Sequence, residues 1–292
     1  MRIAIGSIFR NSEHYVGRYA EQVAALRATA PQHEFRCVLA EGDSTDKTYE
    51  ALKAALPRQF ISEPGSIDVP DKFRPTKEEE SVRDSYFAER GVSLSDGQLA
   101  WYRLQRAKVR DEVTEREFLS LFRNFVFKRE HGGPVFGSVD SPIRFRQMSW
   151  VQDGVMERIT PEDDVLIYVE ADLIWQPETM LKLLEHLEKP GVDLVSPMCW
   201  YQGRNYDTWA FRGLDGIPFG LYPPFHTCMF EESTNGLYPL SSSGSCIVMK
   251  SEVARNCRFD PPEMAIVGFG WNARSKGYKI WFDPNLRIEH PL

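Results

Sequence analysis

A strand-helix rhythm, struck twice within the first 56 residues, limits the fold of this chain more than any other feature. Residues 3–8 form a short apolar run, residues 11–28 set Tyr15, Tyr19, Val23 and Leu26 at helical spacing, and residues 35–40 are apolar again. Cap-type residues at 44–48 then precede 49–56, where spacing predicts a second helix stopped by Pro57. A repeated βα unit buries both faces of its strands only in a sheet that is largely parallel and covered by helices. The 292 residues exceed the usual domain of roughly 100–200, yet fit one large α/β domain. With 42% hydrophobic residues the chain can fill such a core.

The rhythm breaks over residues 66–133, where charges surround apolar stretches at 99–104 and 118–122. Amphipathic helices fit this pattern, so the segment reads as a helical insertion able to meet an acceptor, a membrane face or a second copy in a homo-oligomer. The rhythm resumes with Phe145, Met148, Val151, Val155 and Ile159 on one helix face, a strand at 165–169, a helix at 177–187 and a strand at 192–196. Residues 245–249 and 279–282 are strand-like as well.

Charge and cysteine usage exclude several classes. The excess of 42 acids over 35 Lys and Arg gives −7, which argues against a nucleic-acid partner. Arg103, Arg106, Lys108 and Arg110 form the one basic cluster that keeps sugar transfer to modified DNA as a minor alternative. Five cysteines without a Cys-x-x-Cys pair indicate neither a disulfide framework nor a zinc ribbon. No basic leader is read at the amino terminus, and no apolar run reaches the roughly 20 residues of a membrane span. The expectation is a reduced, cytoplasmic protein.

Ligands of open α/β sheets gather at the carboxyl ends of strands, where helix amino termini point their N–H groups. Glu41 and Asp43 follow one strand, Glu170 and Asp172 another, which brings two acid pairs to one rim. Asp172 is the first candidate for a Mn²⁺ or Mg²⁺ ligand and His290 the second, with the phosphates of a donor completing the shell. Spacing alone leaves both with bland alternatives, a solvated turn and an idle histidine. Asp46 reads better as a helix cap than as a ligand contact, and Asp207 as a turn residue. Arg144 and Arg146 open a helix, where they face either a diphosphate or solvent.

Residues 38–48 (Val-Leu-Ala-Glu-Gly-Asp-Ser-Thr-Asp-Lys-Thr) resemble the first nucleotide-binding motif of GT-A glycosyltransferases, and Glu170-Ala171-Asp172 looks like their Asp-x-Asp with the first acid lengthened. A nearer resemblance is to cryptococcal-type and, more distantly, fungal Golgi α-mannosyltransferases. It is carried by the 144–159 helix, by Asp172-Leu173-Ile174-Trp175, by Tyr206-Asp207-Thr208-Trp209-Ala210-Phe211-Arg212, and by the closing 277–290 segment. It covers about residues 2–56 and 144–292. The resemblance implies a GT-A, Rossmann-like mixed sheet flanked by helices, and a metal-dependent enzyme using a nucleotide sugar, GDP-mannose or a UDP-sugar. It implies metal ligation by Asp172 and His290, donor contacts from Ile8, Arg10, Glu41, Asp43, Arg144, Glu170 and Asp172, and catalytic duties for Asp207, Arg212 and Glu263. The acceptor would be a carbohydrate or another hydroxyl.

Two departures qualify it. The Arg-Asn pair expected late in the 144–159 helix is Gln152-Asp153, and the acid expected near Val267-Gly268-Phe269 is missing, with Glu263 the nearest substitute. An inverting transfer needs a base on the face opposite the leaving group, whereas in a retaining one the leaving diphosphate accepts the proton. The missing acid therefore favours retention. The alternatives are an inverting UDP-sugar transferase, a sugar nucleotidyltransferase, or a binding module without turnover.

Overall fold

The computed structural model describes residues 1–57, 123–134, 141–230 and 233–291. In chain order these form β1 (Arg2–Phe9), α1 (Glu13–Thr29), β2 (Glu34–Glu41), α2 (Thr48–Ala55), β3 (Asn124–Lys128), α3 (Pro142–Met156), β4 (Val165–Val169), α4 (Pro177–Leu187), β5 (Leu194–Tyr201), β6 (Arg204–Asn205), β7 (Tyr238–Leu240), β8 (Cys246–Lys250), α5 (Ser251–Asn256), α6 (Ala265–Ser275) and β9 (Ile280–Glu289).

The nine described strands make one sheet, eight of them in the order β3-β2-β1-β4-β8-β5-β9-β7, with β6 joined to it through β5. The first four run parallel, as the βα rhythm requires. Beyond them β8 is antiparallel to both neighbours, β9 is parallel to β5, and β7 is antiparallel to β9. Strands buried on both faces read as unbroken apolar runs rather than alternating ones. Val165-Leu166-Ile167-Tyr168-Val169 does so, with every residue buried.

Each face of β1 serves a different layer. Ile3 and Ile5 share a core with Tyr19, Val23 and Leu26 of α1, Leu52 of α2 and Leu183 of α4. Gly6, on the other face, lies under α3 so closely that a Cβ there would sit 2.6 Å from Val155 Cγ1. Only glycine admits the helix at that distance.

Several expectations shift. The buried stripe of α1 begins at Val16 rather than Tyr15, because Tyr15 packs at the surface against His14 and under Arg18. The stretch expected outside the sheet to residue 133 must end earlier, since Asn124–Lys128 is strand β3, parallel to β2. Its Phe-Val-Phe centre is too short, among charges, to announce itself. The apolar stretches at 99–104 and 118–122 and the basic cluster at 103–110 lie outside the described residues. Gln152 and Asp153 serve the interior: Gln152 Nε2 donates to the Tyr168 hydroxyl at 2.9 Å, and Asp153 accepts the Phe259 N–H at 3.1 Å. Asp46, expected as a helix cap, stands one residue before the N-cap Lys47 and accepts the Thr48 N–H at 3.0 Å from there. All five cysteines are buried and free, and no helix among the described residues is long and apolar enough to cross a membrane.

Candidate functional site

The carboxyl ends of β1, β2 and β4 meet at one rim, and α3 lies across it. Between them opens a cleft of about 380 Å³, lined by Ile8 and Phe9 at the end of β1, Arg10 after it, Gly42 after β2, Glu170 to Asp172 after β4, and Arg144, Gln147 and Val151 of α3 among others. Five of the seven expected donor-binding residues, Ile8, Arg10, Arg144, Glu170 and Asp172, thus line one cavity, and Glu41 and Asp43 do not.

Asp172 and His290 meet here. His290 Nε2 stands 3.1 Å from Asp172 Oδ2, while His290 Nδ1 pairs with the Pro291 carbonyl at 2.7 Å. Donation to that carbonyl leaves Nε2 as the nitrogen facing the carboxylate. The Tyr206 ring stacks on the imidazole, with centroids 3.9 Å apart and planes 17° from parallel, and fixes its orientation. Burial alone would lower the His290 pKa, but the Asp172 carboxylate outweighs it and the net shift is upward.

Around this pair the charge is one-sided. Burial, then Asp172 and Asp207, push the Glu170 carboxyl up to about 8. Burial also raises Asp207, against two hydrogen bonds that favour its charged form: both carboxylate oxygens accept from Ser245, N–H and Oγ, at 2.9 Å each. A Cβ on Gly244 would sit 2.0 Å from Asp207 Oδ2, so that position stays bare.

These residues fit a divalent cation. Asp172 Oδ1 is buried with no hydrogen-bond partner, a cost normally relieved by a ligand or ion, and the surrounding carboxyls favour an added positive charge. Carboxylate oxygen and imidazole nitrogen together suit Mn²⁺ well. Among the described residues no group of three or more His, Cys, Asp or Glu gathers to hold a metal. A cation at Asp172 and His290 would therefore take its remaining ligands from phosphate oxygens and water.

The other expected residues are placed as follows. Glu41 is buried and accepts the Ser44 N–H at 2.7 Å, closing the loop after β2. Asp43, at φ 54°, accepts the backbone N–H of His131 at 2.7 Å and so ties that loop to the one after β3. Arg212 donates to the Gly216 carbonyl at 3.1 Å, and Glu263 pairs with Arg146; neither lines the cleft. Buried Val267 and Phe269 of α6 flank the place where the resemblance expects an acid. Sequence reading missed His131, which lines the cleft. Its one signal was the turn-forming Gly132-Gly133 after an apolar run.

No family model matches this chain, and no curated protein sequence matches it. Solved structures do. A mannosyltransferase from Pyrobaculum calidifontis, solved with GDP-Man and Mn²⁺, superposes with a TM-score of 0.50 at 11% identity, over 99% of this chain and 56% of that one. GalNAc-T7, solved with UDP, GalNAc and Mn²⁺, gives 0.50 at 13% identity, over 99% of this chain and 43% of that one. The chain thus spans about half the length of the structures it matches. At such identities the likeness establishes the fold, which is the mixed α/β, Rossmann-like GT-A fold.

Proposed function

We propose that this protein is a nucleotide-sugar-dependent glycosyltransferase that moves a hexose to a hydroxyl acceptor, with mannose from GDP-mannose the first donor to test and retention the expected stereochemistry. The observation that carries the reading is the Asp172–His290 pair at the rim, 3.1 Å apart, with Asp172 Oδ1 buried and unpartnered. Both structural neighbours named above were solved with Mn²⁺ and a nucleotide or nucleotide sugar, which supports the reading. The motif resemblance to cryptococcal-type α-mannosyltransferases favours mannose.

Asp172 and His290 would hold Mn²⁺ or Mg²⁺, which when bound neutralises charge on the leaving diphosphate. Arg144 and Arg10, both on the cleft wall, donate to phosphate oxygens, a pairing suited to guanidinium geometry. Glu41 and Asp43 hold the loops that flank the nucleoside, and Asp207, fixed by Ser245, orients sugar hydroxyls. Glu170 orients ribose or water. With no acid among residues 267–269 and Glu263 engaged by Arg146, neither of the positions the resemblance points to supplies a base for inversion. In a front-side transfer the bond from the anomeric carbon to the diphosphate breaks, the bond to the acceptor oxygen forms on the same face, and the hydroxyl proton passes to the departing diphosphate.

A thermal-shift screen of GDP-mannose and UDP-sugars, with and without Mn²⁺, tests this. Ligand at about 100 times its Kd adds about 2.7 kcal/mol, and at this size about 2–4 °C per kcal/mol gives a rise of about 5 °C or more. The rise should need both nucleotide sugar and Mn²⁺. No shift with any donor contradicts the proposal, and a shift without turnover across an acceptor panel would make the protein a binding module.

A further inference from the structure

Asp172 and His290 are far apart in sequence, and three sets of bonds bring their side chains together. Ile174 and Glu289 exchange both backbone N–H···O bonds at 2.8 Å, an isolated antiparallel bridge that joins the segment carrying Asp172 to the one carrying His290. The Arg18 guanidinium donates to the Asp172 carbonyl at 2.6 Å. Gln22 uses both ends of its amide on the same turn: Nε2 donates to the Leu173 carbonyl at 3.2 Å, and Oε1 accepts the Trp175 N–H at 2.9 Å.

Arg18 and Gln22 are four apart on α1 and so share a helix face. Their helix is a firm support. Val16, Tyr19, Val23 and Leu26 bury the adjoining stripe, and its start is latched to the start of α2 and the loop before it, with the Ser12 N–H on Thr48 Oγ1 at 2.8 Å and the Glu13 N–H on Asp46 Oδ2 at 3.2 Å. The Arg18 guanidinium also lies over the Tyr15 ring, 5.0 Å from its centre. Neither side chain lines the cleft.

We propose that Arg18 and Gln22 are positioning residues for a divalent cation at Asp172 and His290, an inference that rests on the metal-site reading above. They act through the backbone of the 172–175 turn, adding to the Ile174–Glu289 bridge the bonds that fix the Asp172 and Leu173 carbonyls and the Trp175 N–H. Removing an outer partner of a metal ligand typically weakens metal binding by about 10–100-fold.

The test is Mn²⁺ affinity of the full chain in the presence of GDP, read from the paramagnetic signal of free Mn²⁺, for wild type, Gln22→Leu, Arg18→Met and Arg18→Lys. Gln22→Leu and Arg18→Met should raise the Mn²⁺ Kd about tenfold or more. Arg18→Lys keeps a donor and should recover most of the loss, and GDP affinity without Mn²⁺ should not move. If Gln22→Leu does not fold, the two Arg18 variants decide. A Kd within about twofold of wild type in Arg18→Met overturns the proposal, as does a loss that Arg18→Lys fails to recover, since that reports a general loosening of α1. A wild-type chain that binds no Mn²⁺ in the presence of GDP or UDP removes the metal-site reading itself.

Discussion

Asp172→Asn should lower metal-dependent transfer by about a thousandfold or more while leaving the fold intact. Asparagine keeps the side chain's size and one carbonyl oxygen but removes the charge on which the proposed cation site, with His290 Nε2 at 3.1 Å, depends. Neutralising a leaving diphosphate is worth several kcal/mol at the transition state, and about 4 kcal/mol corresponds to roughly a thousandfold in rate. Stability should change little. The Asp172 side chain is 30% exposed, so its pairing with His290 contributes about 0–1 kcal/mol, and the Arg18 bond goes to its backbone carbonyl. Release of nucleoside diphosphate followed against Mn²⁺ concentration checks the prediction. Turnover within tenfold of wild type, with the same Mn²⁺ dependence, would contradict it.

Arg36→Met should cost about 3–5 kcal/mol of stability, the usual penalty for stripping one partner from a buried ion pair. Arg36 stands in the middle of β2 with a fully buried side chain. Its Nε donates to Asp163 Oδ1 at 2.6 Å and Nη2 to Oδ2 at 2.5 Å. Asp163 also accepts the Thr160 N–H at 2.7 Å and Thr160 Oγ1 at 2.9 Å, and Arg36 Nη2 reaches the Arg158 carbonyl at 2.9 Å. The substitution leaves a buried carboxylate with Thr160 and, at 3.7 Å, Arg2 Nε as its remaining partners. At about 2–4 °C per kcal/mol the melting temperature should fall by about 10 °C; a change under about 2 °C would contradict the claim. Acid behaviour follows with a definite sign. Burial alone would raise the Asp163 pKa, but the Arg36 and Thr160 bonds hold it below the ordinary carboxylate range. Its contribution is therefore present above the ordinary carboxylate range and lost as pH falls through the folded value. Arg36→Met removes most of it, so the variant's stability should fall less steeply over that acid window.

Arg36 also shows where sequence reading ends. An arginine inside an apolar strand carries no sign of whether it faces solvent or a buried acid, because its partner comes from the loop before β4. Local patterns were legible: 165–169 is β4 as periodicity predicts, and of the two acid pairs expected at one rim Glu170 and Asp172 line the cleft, whereas Glu41 and Asp43 do not. The α3 face was half legible. Val151 and Val155 are buried as spacing predicts, yet Gln147, Ser149 and Gln152 are buried too, since α3 packs against the sheet, α6 and the cleft at once. Pairing of Asp172 with His290 was proposed from ligand chemistry and strengthened by the resemblance, not read from any local pattern. It depends on β9 running parallel to β5 with a register shift at Pro197/Met198, and on the Ile174–Glu289 bridge, neither of which has a local signature. Strand β3 was hidden because its five residues sit among charges.

The most direct test is an anomalous-scattering map at the manganese edge from crystals grown with Mn²⁺ and GDP or UDP. The expected result is one peak within bonding distance of Asp172 Oδ1 or Oδ2 and His290 Nε2, with the diphosphate of the nucleotide completing its shell beside Arg144. A nucleotide bound in the cleft with no manganese at these two side chains, or a peak elsewhere with Asp172 and His290 still paired to each other, would contradict it.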